Sequence, residues 1–452
     1  MKVTANSQRG QIIILFALVA VGLLAFGGLA IDSAMVYSDR RFDQSTADAA
    51  ALAGAGAAGN VMQTRDIYSF KDFDCSDFDV AGAKMNAVKH EAIDAAINRA
   101  AQNSITIDNN LSDQHGVEVY CRDLGEEFYE KYIEVKVQVT TNTQTSFSQL
   151  VSSAPLVNTV TSVARVYPPT TTGFGNAIVS LDDTPCASYS GGGIDFQGSI
   201  DVTIDGGGVF SSSCISGGGH VNVGVDDPGF TYMDTFDIAG GGVMNPLPAT
   251  KSQEELPAIN IADPADKCGS GPYVSQTGSG TIGPGNYSRI KVGNSESLIL
   301  QPGLYCMKGD FEISGSANIT GHNVTIYLQK YGSNRYSNFS VTGTGTVILE
   351  APPDFEDYTV VANEIQGVLI RSADNNTAGV ITLEGGGAGL FEGTIYGPNN
   401  LIKVGGTSST NTIQYNTELI GKKVSVSGNT TINLNYDDYD FSIRESWLTL
   451  VR

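Results

Sequence analysis

Charge is scarce in this chain. Only 16% of its 452 residues are Asp, Glu, Lys or Arg, against roughly a quarter in ordinary soluble proteins. Coiled coils, which need Glu, Lys and Leu in quantity, are excluded. Positive charge is scarcer still: 26 Lys+Arg face 48 Asp+Glu, for a net charge of −22. A nucleic-acid partner is excluded, because phosphates call for a basic face. The four histidines, His90, His115, His220 and His322, never fall in the H-x-x-x-H or H-E-x-x-H spacing of a zinc site. No C-x-x-C, G-x-S-x-G elbow or P-loop lysine pattern occurs either. The expectation is therefore no catalytic residue and no enzyme.

Glycine is what the chain has in excess, 53 of 452, and 41% of residues are hydrophobic. That is enough apolar material for a core, which excludes global disorder. The glycines show no three-residue period, which excludes collagen. Up to Tyr167 there are 13 basic and 19 acidic residues, and from Pro168 onward 13 and 29.

The run from Ile12 to Ile31 carries no charge. As a helix it is about 30 Å long, the hydrocarbon thickness of a bilayer. Lys2 and Arg9 precede it without an acid, which predicts an N-in, C-out anchor in the cytoplasmic (inner) membrane. Membrane lipid is thus the first expected partner, and the bulk of the chain is expected to be extracytoplasmic. A cleaved signal would have a shorter apolar core. The even set Cys75, Cys121, Cys186, Cys214, Cys268 and Cys306 fits disulfides in an oxidising compartment. Pairing of nearest neighbours keeps each bridge local, yet six cysteines allow 15 connectivities.

Beyond the run, Met35, Phe42, Ala49 and Gly56, with Ser38, Ser45 and Leu52, form a heptad seam of mainly small residues. Small residues let helices approach closely, as in packing against other subunits. Four ordered blocks carry a resemblance. They are Arg9-Gly10-Gln11 before the run, Gly28-Leu29-Ala30-Ile31-Asp32, Arg40-Arg41-Phe42-Asp43-Gln44, and Ala47-Asp48-Ala49-Ala50-Ala51-Leu52-Ala53-Gly54-Ala55. This stretch resembles the TadE/TadG-like family of Flp/Tad pilus assembly. The resemblance implies a membrane-anchored, pilin-like subunit, with pilus or pseudopilin subunits as partners through the small-residue helix. Peptidase-processed pilins carry Glu five residues after the cut glycine. Leu15 stands at that place after Gly10.

Met85, Val88, Ala92/Ile93, Ala96/Ile97 and Ala100 recur at helical spacing. Ile133, Val135, Val137 and Val139 alternate with polar residues as in a half-buried strand, with partners expected at Val117–Cys121 and Val157–Tyr167. A short helix is expected at Phe147–Val151. Pro168 to Gly173 reads as a linker.

After it an apolar–x–Gly pattern recurs, with another apolar residue four beyond the glycine. Examples are Phe196/Gly198/Val202, Ile215/Gly217/Val221, Ile313/Gly315/Ile319, Val341/Gly343/Val347 and Val426/Gly428/Ile432. Short strands punctuated by glycine, with few hairpin turns, predict stacked parallel coils, on the order of ten of them. Loops are expected at Gly224–Phe236, Ala249–Gly280 and Glu350–Asn363. Stretches such as Gln301-Pro302-Gly303-Leu304-Tyr305-Cys306 and Gly393-Thr394-Ile395-Tyr396-Gly397-Pro398 resemble the β-helix domains found behind TadE/TadG-like anchors.

The expected fold is thus mixed: a transmembrane helix with a small α+β pilin-like domain, then an all-β parallel β-helix solenoid. The expected divisions are a cytoplasmic N-terminus 1–11, transmembrane helix 12–31, stem and α+β domain 32–167, linker 168–173, β-helix 174–440, and C-terminal cap 441–452 containing Trp447. Asp226 and Asp227 are candidate Ca²⁺ ligands, the one metal or cofactor in view. Tyr232, Tyr336 and Tyr358 are candidate contacts for surface glycans. The expected role is a pilus-assembly or minor pilin-like protein displaying a β-helix for adhesion at the cell surface. The alternative is an extracellular polysaccharide-binding or polysaccharide-cleaving protein.

Overall fold

The computed structural model describes residues 9–64, 73–111, 114–125, 130–148, 154–186, 192–226, 229–252, 255–353, 359–385, 387, 389–406, 413–429, 431–436, 441, 443–444 and 446–451. The uncharged run and the seam after it form one unbroken helix, α1, Arg9–Thr64. Its 56 residues span about 84 Å at 1.5 Å each. Two stretches of it behave differently. From Ile13 to Ile31 the large apolar side chains stand free of the rest of the chain, Phe26 at 75% exposure. From Ala47 to Met62 one face is fully buried: Ala47, Ala50, Ala51, Ala55, Ala58 and Met62.

What buries that face is a second helix, α2, Lys84–Gln102, and an antiparallel sheet. The sheet runs β1 (Gly116–Asp123), β2 (Lys131–Thr143), β3 (Leu156–Val166). The alternation read from β2 puts Ile133, Val135, Val137 and Val139 wholly inside. Alanines and glycines on α1 let the helix sit close to this sheet. At Gly54 an added Cβ would lie 2.8 Å from the Ala92 carbonyl and 2.9 Å from a Val135 methyl. Cys75 is bonded to Cys121 on β1, which ties the segment ahead of α2 to the sheet.

From Asn176 to Asn435 the chain is mostly strand, in one large sheet whose registered pairs are all parallel. It closes on itself through three tracks of pairing. One inward column runs Tyr305, Ile326, Ile370, Ile395, Leu419, Ile178, Val209, Phe230. A second runs Val292, Ile313, Val341, Leu383, Val404, Val426, Phe196, Gly217. The third runs Leu300, Gly321, Leu349, Phe391, Tyr415, Leu434, Ile204, Val225. Together they build one continuous apolar core. At one corner Gly428 and Gly198 take φ of 137° and 106°. There a Cβ on Gly198 would stand 2.3 Å from the Gly428 carbonyl oxygen, so only glycine stacks.

The order of levels in space is not the order in sequence. The strand at Asn176–Ser180 pairs on one side with Gly208–Ser211 and on the other with Leu419–Gly421. The chain therefore enters mid-stack and builds outward to Val243–Lys251. It then crosses the flank and rebuilds from Val274 back to its starting point. The crossing strap lies over a second, outward column. Tyr396 donates from its hydroxyl to the Ile259 carbonyl (2.9 Å), Arg371 Nε to the Ile261 carbonyl (3.2 Å), and the Tyr327 hydroxyl to Asp263. Cys268 is bonded to Cys306 on the next level. The strands beneath the strap are thus buried on both faces, as parallel strands usually are.

Several sequence expectations change here. Residues 168–173, read as a linker, are an ordered junction: Thr170, Thr171 and Thr172 are buried. Thr170 and Thr171 pair with Arg444 and Ile443, and the Gly173 amide donates to buried Glu418 at 2.7 Å. The segment read as a C-terminal cap over the last coil instead returns to the first sheet, where Leu448–Val451 pairs antiparallel with β3. Trp447 stacks on Tyr167 at 4.4 Å and meets Phe174 edge-on at 5.7 Å. The last level needs no such cover, because the first level in sequence lies on it. The loop expected at 224–236 contains a paired strand, Phe230–Tyr232. Gly217 lies level with Phe196, while Gly219 is the partner of Gly198. The short helix expected at Phe147–Val151 falls largely outside the described residues.

Candidate functional site

The site is the length of α1 and the collar around it. The helix is apolar and bare over its first turns, then turns one face inward. At the boundary stands Asp32, buried at 4% exposure. Its carboxylate accepts from three successive backbone amides, Ser146 (2.8 Å), Phe147 (3.1 Å) and Ser148 (2.6 Å). A carboxylate gathering backbone N–H groups makes charge-assisted bonds, the stronger kind. They hold the loop after β2 against the helix directly at the end of the apolar segment. The loop places the Phe147 ring over Gly28, where a Cβ would lie 2.6 Å from the ring. Phe147 is 42% exposed.

Three turns on, Asp43 is buried and accepts from Thr141 Oγ1 (2.5 Å) and Asn158 Nδ2 (2.6 Å). Gln44 then reaches Asp48 (2.7 Å). Each acid on this face is thus satisfied by the sheet or by its own helix. The opposite face is the heptad seam. Met35, Phe42 and Leu52 are 40%, 54% and 37% exposed. The seam is therefore not what joins α1 to its own sheet.

The remaining candidates are scattered. Asp226 accepts from the Gly206 amide at 2.9 Å, a turn contact. Asp227 lies outside the described residues. Among the described residues no group of three or more His, Cys, Asp or Glu is gathered as a metal site would require. Tyr232 is a half-buried strand residue against Phe236 (5.7 Å between rings). Tyr336 is half-buried with the Lys330 ammonium 5.3 Å from its ring centre. Tyr358 lies outside the described residues. The six cysteines pair as nearest neighbours: 75 with 121, 186 with 214, 268 with 306. Ile31 is half exposed on α1, and Ile12 lies on the same helix.

The geometry defines a class: a chain with, among the described residues, one helix long and apolar enough to cross a membrane, whose far half is locked into a helix–sheet unit. Residues 10–57 match the family model of TadE/G-like Flp pilus-assembly proteins. The N-terminal resemblance is thereby shown for that segment. No curated protein and no solved structure matches the chain. The likeness of residues 32–167 to a pilin consequently has no support from a solved fold, although the helices and the antiparallel sheet expected there are present. The matched segment holds Gly28, Asp32, Asp43 and Gly54, the residues that fasten the collar and the sheet to α1.

Proposed function

We propose that the protein is a single-pass, N-in/C-out membrane protein of a tight-adherence pilus system, with its bulk outside the cytoplasm. The observation that carries this is the match over 10–57, whose apolar half stands bare while its acidic and small-residue half is buried in the collar and sheet. A helix solvent-exposed over Ile13–Ile31 needs a lipid environment. In this reading the closed parallel stack is a β-helix, a stiff body held away from the membrane for adhesion or surface structure. It is structural, not enzymatic. Three disulfides fit the oxidising side.

Protease treatment of intact spheroplasts tests the orientation. Loss of the full-length chain to added protease supports it, and protection until lysis overturns it. Immunogold labelling of sheared pili tests the assembly role: label along the fibres is expected for a subunit, and label confined to membranes would reject that form.

A further inference from the structure

The strap that crosses the flank of the stack ends in a loop, 265–273, which leaves a cavity of 410 Å³ against the levels beneath it. That volume is within the range of small-ligand sites. One wall is the strap, made of Ala265, Gly269, Ser270 and Gly271, side chains too small to fill it. The other wall follows one corner of the stack over successive levels, with Lys308, Gln329 and Lys330. In a chain where acids outnumber bases 48 to 26, the lining holds two lysines and no carboxylate. Two acids lie at its border and are each engaged: Asp263 accepts from the hydroxyl of Tyr327, itself a lining residue, and Asp374, between the lining Ala373 and Asn375, pairs with Arg371 at 2.8 Å. Asp266 lies on the strap outside the lining, next to Lys267.

Tyr273 also lines the cavity and is held in place from two directions. Its hydroxyl donates to Gln329 Oε1 at 2.9 Å, and the Lys308 ammonium lies 4.3 Å from its ring centre. The Cys268–Cys306 bond anchors the loop to the stack. Such anchoring removes part of the ordering cost that a ligand would otherwise meet.

From this arrangement we infer that the cavity is a binding site for a saccharide ring bearing an anionic group. The anion is met by Lys308 and Lys330, the ring by Tyr273, and the hydroxyls by the side chains of Ser270 and Asn375, since the Gln329 amide is already engaged by Tyr273 and Cys268 Sγ. Charge-assisted contacts select the anion, and an aromatic beside adaptable polar groups suits a sugar face. The inference is independent of the pilus reading, since binding is measured on the chain alone.

The test is calorimetric titration of the full chain in detergent micelles with trigalacturonate, maltotriose and inorganic phosphate. Saturable binding of trigalacturonate is expected, with maltotriose at least about tenfold weaker, the loss of one charged contact. A Lys308→Gln/Lys330→Gln double variant should weaken trigalacturonate about a hundredfold. Tyr273→Leu should weaken trigalacturonate and leave phosphate unchanged. Strand circular dichroism followed during melting checks that each variant is folded. If a variant fails to fold, raised salt on the native chain gives the same reading, because ionic contacts weaken with screening. The inference is overturned by no saturable binding of trigalacturonate, by equal binding of maltotriose, or by indifference to the lysine changes or salt. Strong phosphate binding with no effect of Tyr273→Leu overturns the saccharide part and leaves a bare anion site.

Discussion

The helix–sheet unit and the parallel stack solve the same problem with opposite materials. In the unit, the buried face of α1 is mainly alanine and glycine, and the larger apolar side chains come mostly from α2 and the sheet, Val135, Val137 and Val139 of β2 among them. In the stack, strands alone supply the core, with Phe, Tyr, Ile, Leu and Val facing each other across the interior. A long helix can approach a sheet closely only if its contact face is small. A closed tube of strands has an interior that must be filled, so its residues are large. Glycine therefore means close approach in the first region and a corner in the second.

That contrast can be broken most severely in the stack. Phe311 is wholly buried, its ring 5.2 Å from that of Phe339. Phe311→Ala should cost about 3–5 kcal/mol, with hydrogen exchange rising in 285–350 while α2 and β1–β3 stay protected. Next comes Gly54→Val, whose Cβ would collide with Ala92 and Val135. It should cost about 1–3 kcal/mol as overpacking and expose Cys75–Cys121 and α2 first, leaving the stack intact. If either change loosened both regions equally, the two would be one cooperative unit and the contrast would fail. Trp447→Ala lies between them, at the junction. A cost of about 2 kcal/mol is expected from loss of a stacked, half-buried aromatic, together with release of the 448–451 strand to proteases.

The smallest effect is a pH dependence confined to the stack. Burial by itself raises the Asp182 carboxyl, but the Thr184 hydroxyl at 2.8 Å and the Lys423 ammonium at 3.2 Å outweigh it and hold its pKa below the ordinary value. A lowered native pKa stabilises the fold fully above the unfolded value, about 3.9. The benefit fades as pH drops through the native value. Asp182→Asn should thus lower the melting temperature at pH 7 and leave it unchanged near pH 2. An equal loss at both pH values would show that the ion pair is not the cause.

Local patterns were readable from the residues. The helical run, the alternation in β2 and the glycine-punctuated strands each depend on spacing along a few residues, whereas spacing leaves the choice among the 15 cysteine pairings open. The long-range arrangement was not readable. Nothing in the pattern at Ile178 says that Leu419 will lie beside it, because every level presents the same apolar columns and any level could stack on any other. The strap was read as an interrupting loop, since its contacts are made by outward Tyr327, Arg371 and Tyr396, residues that alternation alone assigns to solvent. Trp447 and the strand after it went to the wrong neighbour for the same reason: β3 offers a free edge 280 residues earlier in the chain. The lysine-lined cavity gave no motif because Lys308 and Lys330 meet only through the register of successive levels.

Entry at mid-stack has a consequence for manufacture. A chain made from its N-terminus presents residues 176–251 long before 413–435, the neighbours that cover their open side. During that interval the first-made half waits with an unpaired edge, the kind of surface that recruits stray strands. The tie between 448–451 and β3 is made last of all. An interrupted copy therefore carries its own visible mark: an open edge along 178–205 that the strands at 413–435 cover in a finished one.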